Sequence, residues 1–134
     1  MRIWAKKIIP VLPTKQLIAM RYELGDMIKQ YPNIKNPLVK FANNYDICYL
    51  DWYLKIVRVQ CALRGIKQNE TYNKEIDNIV AKKTKEYVGG VKFKEDNEED
   101  LKICYWNLYE KAIRGVISDE EWRKIEDLIG GEIK

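Results

Sequence analysis

The stretch DICYLDWYLKIVRVQCALR, residues 46–64, carries the strongest helical pattern in the chain. Its apolar residues recur at spacings of three and four, which places them on one face of a helix. The residues of this face are Ile47, Leu50, Leu54, Val57 and Cys61. Further apolar side chains flank the face, so they cover much of the helix circumference. This distribution is typical of a helix at the centre of a bundle.

Five further segments outside this stretch are predicted to be helical. They are residues 15–30 after a Thr14 cap, 36–41, 70–87, 98–114, and a last helix from the capping box at Ser118 to the pair Gly130-Gly131. Residues 1–13 are predicted to be extended, because Pro10 and Pro13 restrict the backbone. The sequence thus predicts an all-α protein. We expect one compact domain over residues 1–134, with about six helices around a central buried helix.

The N-terminal residues are expected to be anchored in the core. Ile3, Trp4, Ile8 and Ile9 are too apolar to be left in water, although chain termini are usually frayed. An anchored terminus places an α-amino group beside structured side chains.

The charged residues are unevenly distributed along the chain. Residues 1–67 carry 12 Lys/Arg and 4 Asp/Glu, a net charge of +8, whereas residues 68–134 carry a net charge of −4. Such asymmetry suggests a basic face suited to nucleic acid. The alternative is a solvated surface that is merely uneven.

The composition argues against histidine-dependent catalysis and against a metal site. The chain has no histidine, which removes the commonest general base and metal ligand, and it has no Cys-x-x-Cys pair, so neither a metal nor another cofactor is expected. The three cysteines lie in apolar periodic segments and are expected to be reduced core residues of a cytoplasmic protein. No apolar run approaches the roughly 18 residues that span a membrane. Lys6 and Lys7 precede a proline-broken segment that does not resemble a signal peptide.

Glu23 is the candidate acid or base in the basic half. It lies at the edge of the apolar face of the helix over residues 15–30, where its carboxylate could turn toward the N-terminal segment. The alternative is an ordinary boundary residue that pairs with Arg21 or Lys15.

The run IPVLPTKQLIAMRYEL, residues 9–24, resembles the N-terminus of the pyrimidine-dimer DNA glycosylase family, the phage endonuclease V type and its small bacterial and phage relatives. The likeness includes the opening Met-Arg-Ile-Trp and the Pro-Leu-Pro…Gln-Leu spacing. It continues through residues 38–41 and 61–65 and fades after residue 70.

This resemblance implies a compact, all-helical DNA repair enzyme acting on damaged double-stranded DNA. Its members use the α-amine of residue one as nucleophile, form a Schiff base and nick the strand by β-elimination. An α-amine is partly unprotonated near neutral pH, which suits that role. The matching acid/base is Glu23. Well-known members expose Thr after loss of the initiator Met, but the bulk of Arg2 should prevent that loss, so Met1 would supply the amine.

The resemblance also implies that Arg2 and Arg21 contact DNA. Further candidate phosphate contacts are Lys6, Lys7, Lys55 and Arg58.

The leading hypothesis is therefore a glycosylase/AP lyase. The alternative is a non-catalytic, phage-type accessory or inhibitor protein that uses this scaffold to bind a protein or nucleic acid. A module that binds a small molecule beside the N-terminus is a third option. Ala5 stands where many relatives have His, and the C-terminal half is acidic, which keeps the non-catalytic alternative open.

Overall fold

The computed structural model describes residues 1–133. Within them the α-helices are α1 (Thr14–Gln30), α2 (Cys48–Leu63), α3 (Glu70–Lys83), α4 (Glu98–Ile113), α5 (Asp119–Ile125) and α6 (Gly131–Ile133). Two 3-10 helices, Lys6–Val11 and Lys40–Asn44, and a π-helical turn, Glu126–Gly130, complete the secondary structure. The described residues contain no strand, and 67% of the chain is helical. The predicted all-α fold with about six helices is confirmed.

Helix α2 lies at the centre of the core, as its pattern predicts. Leu50, Tyr53, Leu54, Val57 and Cys61 are all at most 1% exposed. Helix α1 packs against both α2 and α3, and the N-terminal 3-10 helix packs against α2. Apolar side chains from α1 to α5 join one connected core, because each helix contributes a face with helical spacing. Gly65 follows α2 with a positive φ of 71°, as expected for a residue just beyond a helix end.

The N-terminal segment is anchored, but it is not extended. Ile8 and Ile9 are fully buried within the 3-10 helix Lys6–Val11. The N–H groups of Ile8 and Leu12 donate to the carbonyls of Ala5 and Ile9 at 3.0 and 3.2 Å. Pro10 fits inside this short helix, because its fixed φ is compatible and the other residues make the hydrogen bonds. The predicted extended conformation of residues 1–13 is therefore wrong over residues 6–11.

Three predicted boundaries also differ from the structure. The segment 36–41 forms a turn followed by the 3-10 helix Lys40–Asn44. Helix α3 ends at Lys83, because Asp46 accepts hydrogen bonds from the Thr84 hydroxyl and the Lys85 N–H and draws the chain away. The pair Gly130-Gly131 does not end the last helix, since the π-helical turn leads into α6.

The helix starts at Thr14 and Ser118 share one carboxylate. The capping box of Ser118 and Glu121 is present, as predicted. The second carboxylate oxygen of Glu121 accepts the Thr14 N–H at 3.1 Å, so Glu121 caps α1 and the Thr14 side chain does not.

No helix in residues 1–133 is both long enough and apolar enough to cross a membrane.

Candidate active site

A pocket of about 290 Å³ lies where the N-terminal segment meets α1 and α4. Burial of Ile3 and Trp4, 8% and 7% exposed, fixes the chain end beside α1. Helix α1 lines the pocket at positions that are three and four residues apart and so share one face. The full lining is Met1, Arg2, Trp4, Gln16, Ala19, Glu23, Leu38, Asn107 and Lys111.

The pocket brings Met1 and Glu23 together. The Arg2 N–H donates to the Glu23 carboxylate at 3.4 Å, which holds the peptide next to the α-amine over the pocket. Among the ion pairs of residues 1–133, none joins Glu23 to Arg21, Lys15 or the Met1 amine. The described part of the chain therefore does not support the reading of Glu23 as an ordinary ion-pair partner of Arg21 or Lys15.

The side chain of Arg2 pairs with an acidic residue of α4. Its guanidinium lies 3.8 Å from the Asp100 carboxylate, and both side chains are 24% exposed. The guanidinium also lies 5.8 Å from the centre of the Trp4 ring. A second cavity of about 50 Å³ is lined by Arg2 and Asp100 together with Asp96 and Phe93. Arg2 thus lines both cavities and forms the boundary between them.

The environment of Asp100 opposes its charge. Burial and the neighbouring Asp96 raise its pKa to about 6, although Arg2 favours the ionised form. Cys104 donates weakly to the same carboxylate at 3.9 Å. Burial and Asp100 raise the pKa of the Cys104 thiol to about 11, so this cysteine is a buried thiol without nucleophilic character. All three cysteines are free and buried, as expected of core residues.

Arg21 does not reach the pocket. It is 4% exposed, its guanidinium lies 4.9 Å from the Tyr22 ring, and one of its terminal nitrogens has no hydrogen-bond partner. The implied role of Arg21 as a direct DNA contact disagrees with this burial, because its neighbours in the core cover the side chain.

The remaining candidate phosphate contacts divide into two groups. Lys6 and Lys7 are exposed near the N-terminus, where the Lys6 ammonium lies over the Trp52 ring and Lys7 pairs with Glu132. Lys55 and Arg58 lie on α2 and pair with Asp77 of α3 at 3.2 and 2.7 Å. The side chain of Arg58 is only 11% exposed, which leaves little of it available to a phosphate. Neither Lys55 nor Arg58 lines the pocket of Met1 and Glu23.

Helix α4 adds residues that the sequence did not single out. Asn107 and Lys111 line the pocket, and Asp100 holds Arg2 beside it. The only signal available was spacing, because positions 100, 104, 107 and 111 form one stripe along a helix. Residues 1–133 contain no group of three or more Cys, Asp or Glu side chains placed to hold a metal ion.

Comparison of the sequence with models of known protein families gives a match that covers part of this pocket. The model of the family described as pyrimidine dimer DNA glycosylase matches residues 1–74, just over half of the chain. The chain belongs to the pyrimidine dimer DNA glycosylase family. The match includes Met1, Arg2 and Glu23 but stops before α4. No curated protein and no solved structure shows significant similarity to the chain. Membership supports a DNA glycosylase type of function and a DNA substrate.

Proposed function

We propose that this family member is a DNA glycosylase/AP lyase that uses the Met1 α-amine as nucleophile and Glu23 as acid/base. The observation that carries the proposal is the shared pocket of about 290 Å³, which joins the chain terminus to Glu23 in the part of the chain that matches the family. The two groups come from segments 22 residues apart in sequence. We treat residues 1–134 as one domain in this proposal, because the pocket is formed by the N-terminal segment and α1 together with Asn107 and Lys111 of α4.

The chemistry begins with the unprotonated amine. Its nitrogen attacks C1′ of the damaged nucleotide, the bond from C1′ to the base breaks, and the base leaves with the bonding electrons. Loss of the amine proton and opening of the sugar ring give an imine between the Met1 nitrogen and C1′. We assign the acceptance and return of these protons to Glu23, whose carboxylate accepts the N–H of Arg2, the residue that follows Met1.

The lyase step uses the same imine. Removal of a proton from C2′ sends electrons toward the imine and breaks the bond from C3′ to its phosphate oxygen. The strand is then nicked, and water releases the sugar fragment from the amine. We assign phosphate contacts to Lys111, which lines the pocket, and to Lys6, which is exposed near the N-terminus and forms no ion pair within residues 1–133. Lys7, Lys55 and Arg58 are left out, since Glu132 and Asp77 already neutralise them.

Borohydride trapping tests the proposal. The protein is incubated at micromolar concentration with an abasic-site duplex and a thymine-dimer duplex, and the imine is reduced to a stable adduct. We expect a covalent adduct whose peptide mass places the DNA fragment on the Met1 nitrogen. A chain extended by residues before Met1 should give none. Glu23→Gln should bind DNA but fail to nick it.

Glu99→Gln is the matched control, because Glu99 is a carboxylate on α4 that is 81% exposed and outside the pocket. It should trap and nick like the unaltered protein. The absence of any adduct from the unaltered protein on both duplexes would refute the proposal, and so would an adduct on a lysine side chain alone.

One observation favours the non-catalytic alternative. Helix α4 exposes Ile103, Trp106 and Ile113, which are 53%, 49% and 67% exposed. Exposed apolar patches often mark protein contacts. If the protein binds duplex DNA or a protein without forming an adduct, the binding-protein function replaces the enzymatic one.

A further inference from the structure

We propose that Asp100 is a positioning residue that holds the Arg2 side chain and thereby keeps the Met1 amine over the Glu23 pocket. The inference rests on the proposed function and adds to it a residue outside the part of the chain that matches the family. In this inference the side chain of Arg2 fixes the position of the neighbouring Met1 amine, which is the proposed nucleophile.

The N-terminal dipeptide is held at two points. The Arg2 N–H donates to Glu23, and the Arg2 guanidinium pairs with Asp100 on α4. Glu23 lines the first pocket and Asp100 lines the second, and Arg2 lines both. Met1 itself is 39% exposed and has no comparable anchor among the described contacts. Its orientation is therefore set by the residue that follows it.

The electrostatics favour this function over a purely stabilising one. Asp100 lies beside Asp96, a like charge, and its only cationic partner in residues 1–133 is Arg2. Asp96 is already occupied, because it accepts hydrogen bonds from the Lys6 N–H and the Tyr53 hydroxyl. A partly buried carboxylate in such a place is costly to the fold. The contact of Asp100 with Arg2 would offset this cost by a functional role, the positioning of Arg2 at the pocket.

The precision needed at the nucleophile makes the effect measurable. A reacting group displaced by about 1 Å can lose on the order of a hundredfold in rate. Asp100→Asn keeps the shape and removes the charge that holds Arg2. We expect the trapping rate at saturating abasic-site duplex to fall by roughly ten- to a hundredfold. We expect the Kd for a duplex with an uncleavable abasic analogue to change by less than about threefold, since Asp100 contacts no DNA in this scheme.

A double-mutant cycle separates positioning from general stability. Arg2→Gln should lower the trapping rate as Asp100→Asn does, and the double variant should be no slower than Arg2→Gln alone. Glu99→Gln again serves as the control on the same helix and should trap at the unaltered rate. Urea unfolding of each variant verifies that it is folded in the assay.

The outcomes are distinct. If the unaltered protein traps DNA and Asp100→Asn traps it within twofold of the same rate, the inference is overturned while the proposed function stands. Additive losses in the double variant also overturn it, because Asp100 would then act independently of Arg2. If the unaltered protein forms no adduct, the proposed function fails and this inference fails with it.

Discussion

Replacing Asp100 by Asn should stabilise the folded protein at pH 8, although we expect it to slow the proposed reaction. Burial and Asp96 raise the pKa of Asp100 from an ordinary value of 3.8 to about 6, against the opposing effect of Arg2. The folded state therefore binds this proton more tightly than the unfolded chain does. The stability from this group is fully present below pH 4 and is lost as the pH rises through 6. Asn does not ionise, so the variant does not lose this contribution to the free energy of unfolding as the pH rises.

The size of the effect follows from the two pKa values. A difference of about two pKa units corresponds to ~3 kcal/mol between the protonated and ionised forms. This is an upper value, because the side chain is 24% exposed. About 1.4 kcal/mol of it is already recovered by the unaltered protein on going from pH 8 to pH 5. The advantage of Asp100→Asn should therefore shrink by about that amount between pH 8 and pH 5.

Urea unfolding of the two proteins at pH 5, 6, 7 and 8 measures this change. The difference between two proteins at each pH cancels every other titrating group, provided that the substitution leaves those groups unchanged. Glu99→Gln should show no comparable trend, since its carboxylate is 81% exposed. If the free energy difference between Asp100→Asn and the unaltered protein is the same at pH 5 and pH 8, Asp100 is not in the opposed environment that the structure describes.

Three further predictions concern the packing that surrounds the site. Gly25→Ala should destabilise the fold by about 1–3 kcal/mol in urea unfolding, because its new Cβ would lie 2.1 Å from the Tyr72 hydroxyl oxygen; unchanged stability would show that Tyr72 moves freely. Tyr72→Phe should be neutral or stabilise by up to about 1 kcal/mol, since the buried hydroxyl has no partner, and a loss above that would reveal a partner. Ser118→Ala should cost about 1 kcal/mol through loss of the cap to the Glu121 N–H, and a Tm equal to that of the unaltered protein would contradict this.

The fold was predictable wherever a helix buries one face. In α2 the face chosen from spacing alone, Ile47 to Cys61, is the buried face, because side-chain periodicity and core contact have the same period. The errors lie where distant groups satisfy a helix end. Asp46 draws Thr84 out of α3, and Glu121 caps α1 from 107 residues away. Hydrogen bonds between segments so far apart cannot be predicted from the local sequence pattern.

The part of the candidate site that local sequence determines was predictable, and the part that depends on contacts between distant segments was not. The apolar opening residues indicated an anchored terminus, and the family resemblance singled out Glu23; both lie at one pocket. Asp100 lies in the first turn of α4, where any acidic residue is favoured. Its position in the sequence therefore gives no indication of a specific partner. Only the packing of α4 against the N-terminus shows that its carboxylate turns to Arg2.

The acidic second half of the chain neutralises part of the positive charge of the first half. Its carboxylates pair with Arg2, Lys7, Lys55 and Arg58, all among the predicted phosphate contacts. The net charge of +8 over residues 1–67 is thus partly neutralised by ion pairs within the fold. Besides phosphate contacts, we expect discrimination between damaged and intact DNA to depend on what enters the pocket between Met1 and Glu23, because in the proposed reaction this is where a damaged nucleotide would differ from an intact one.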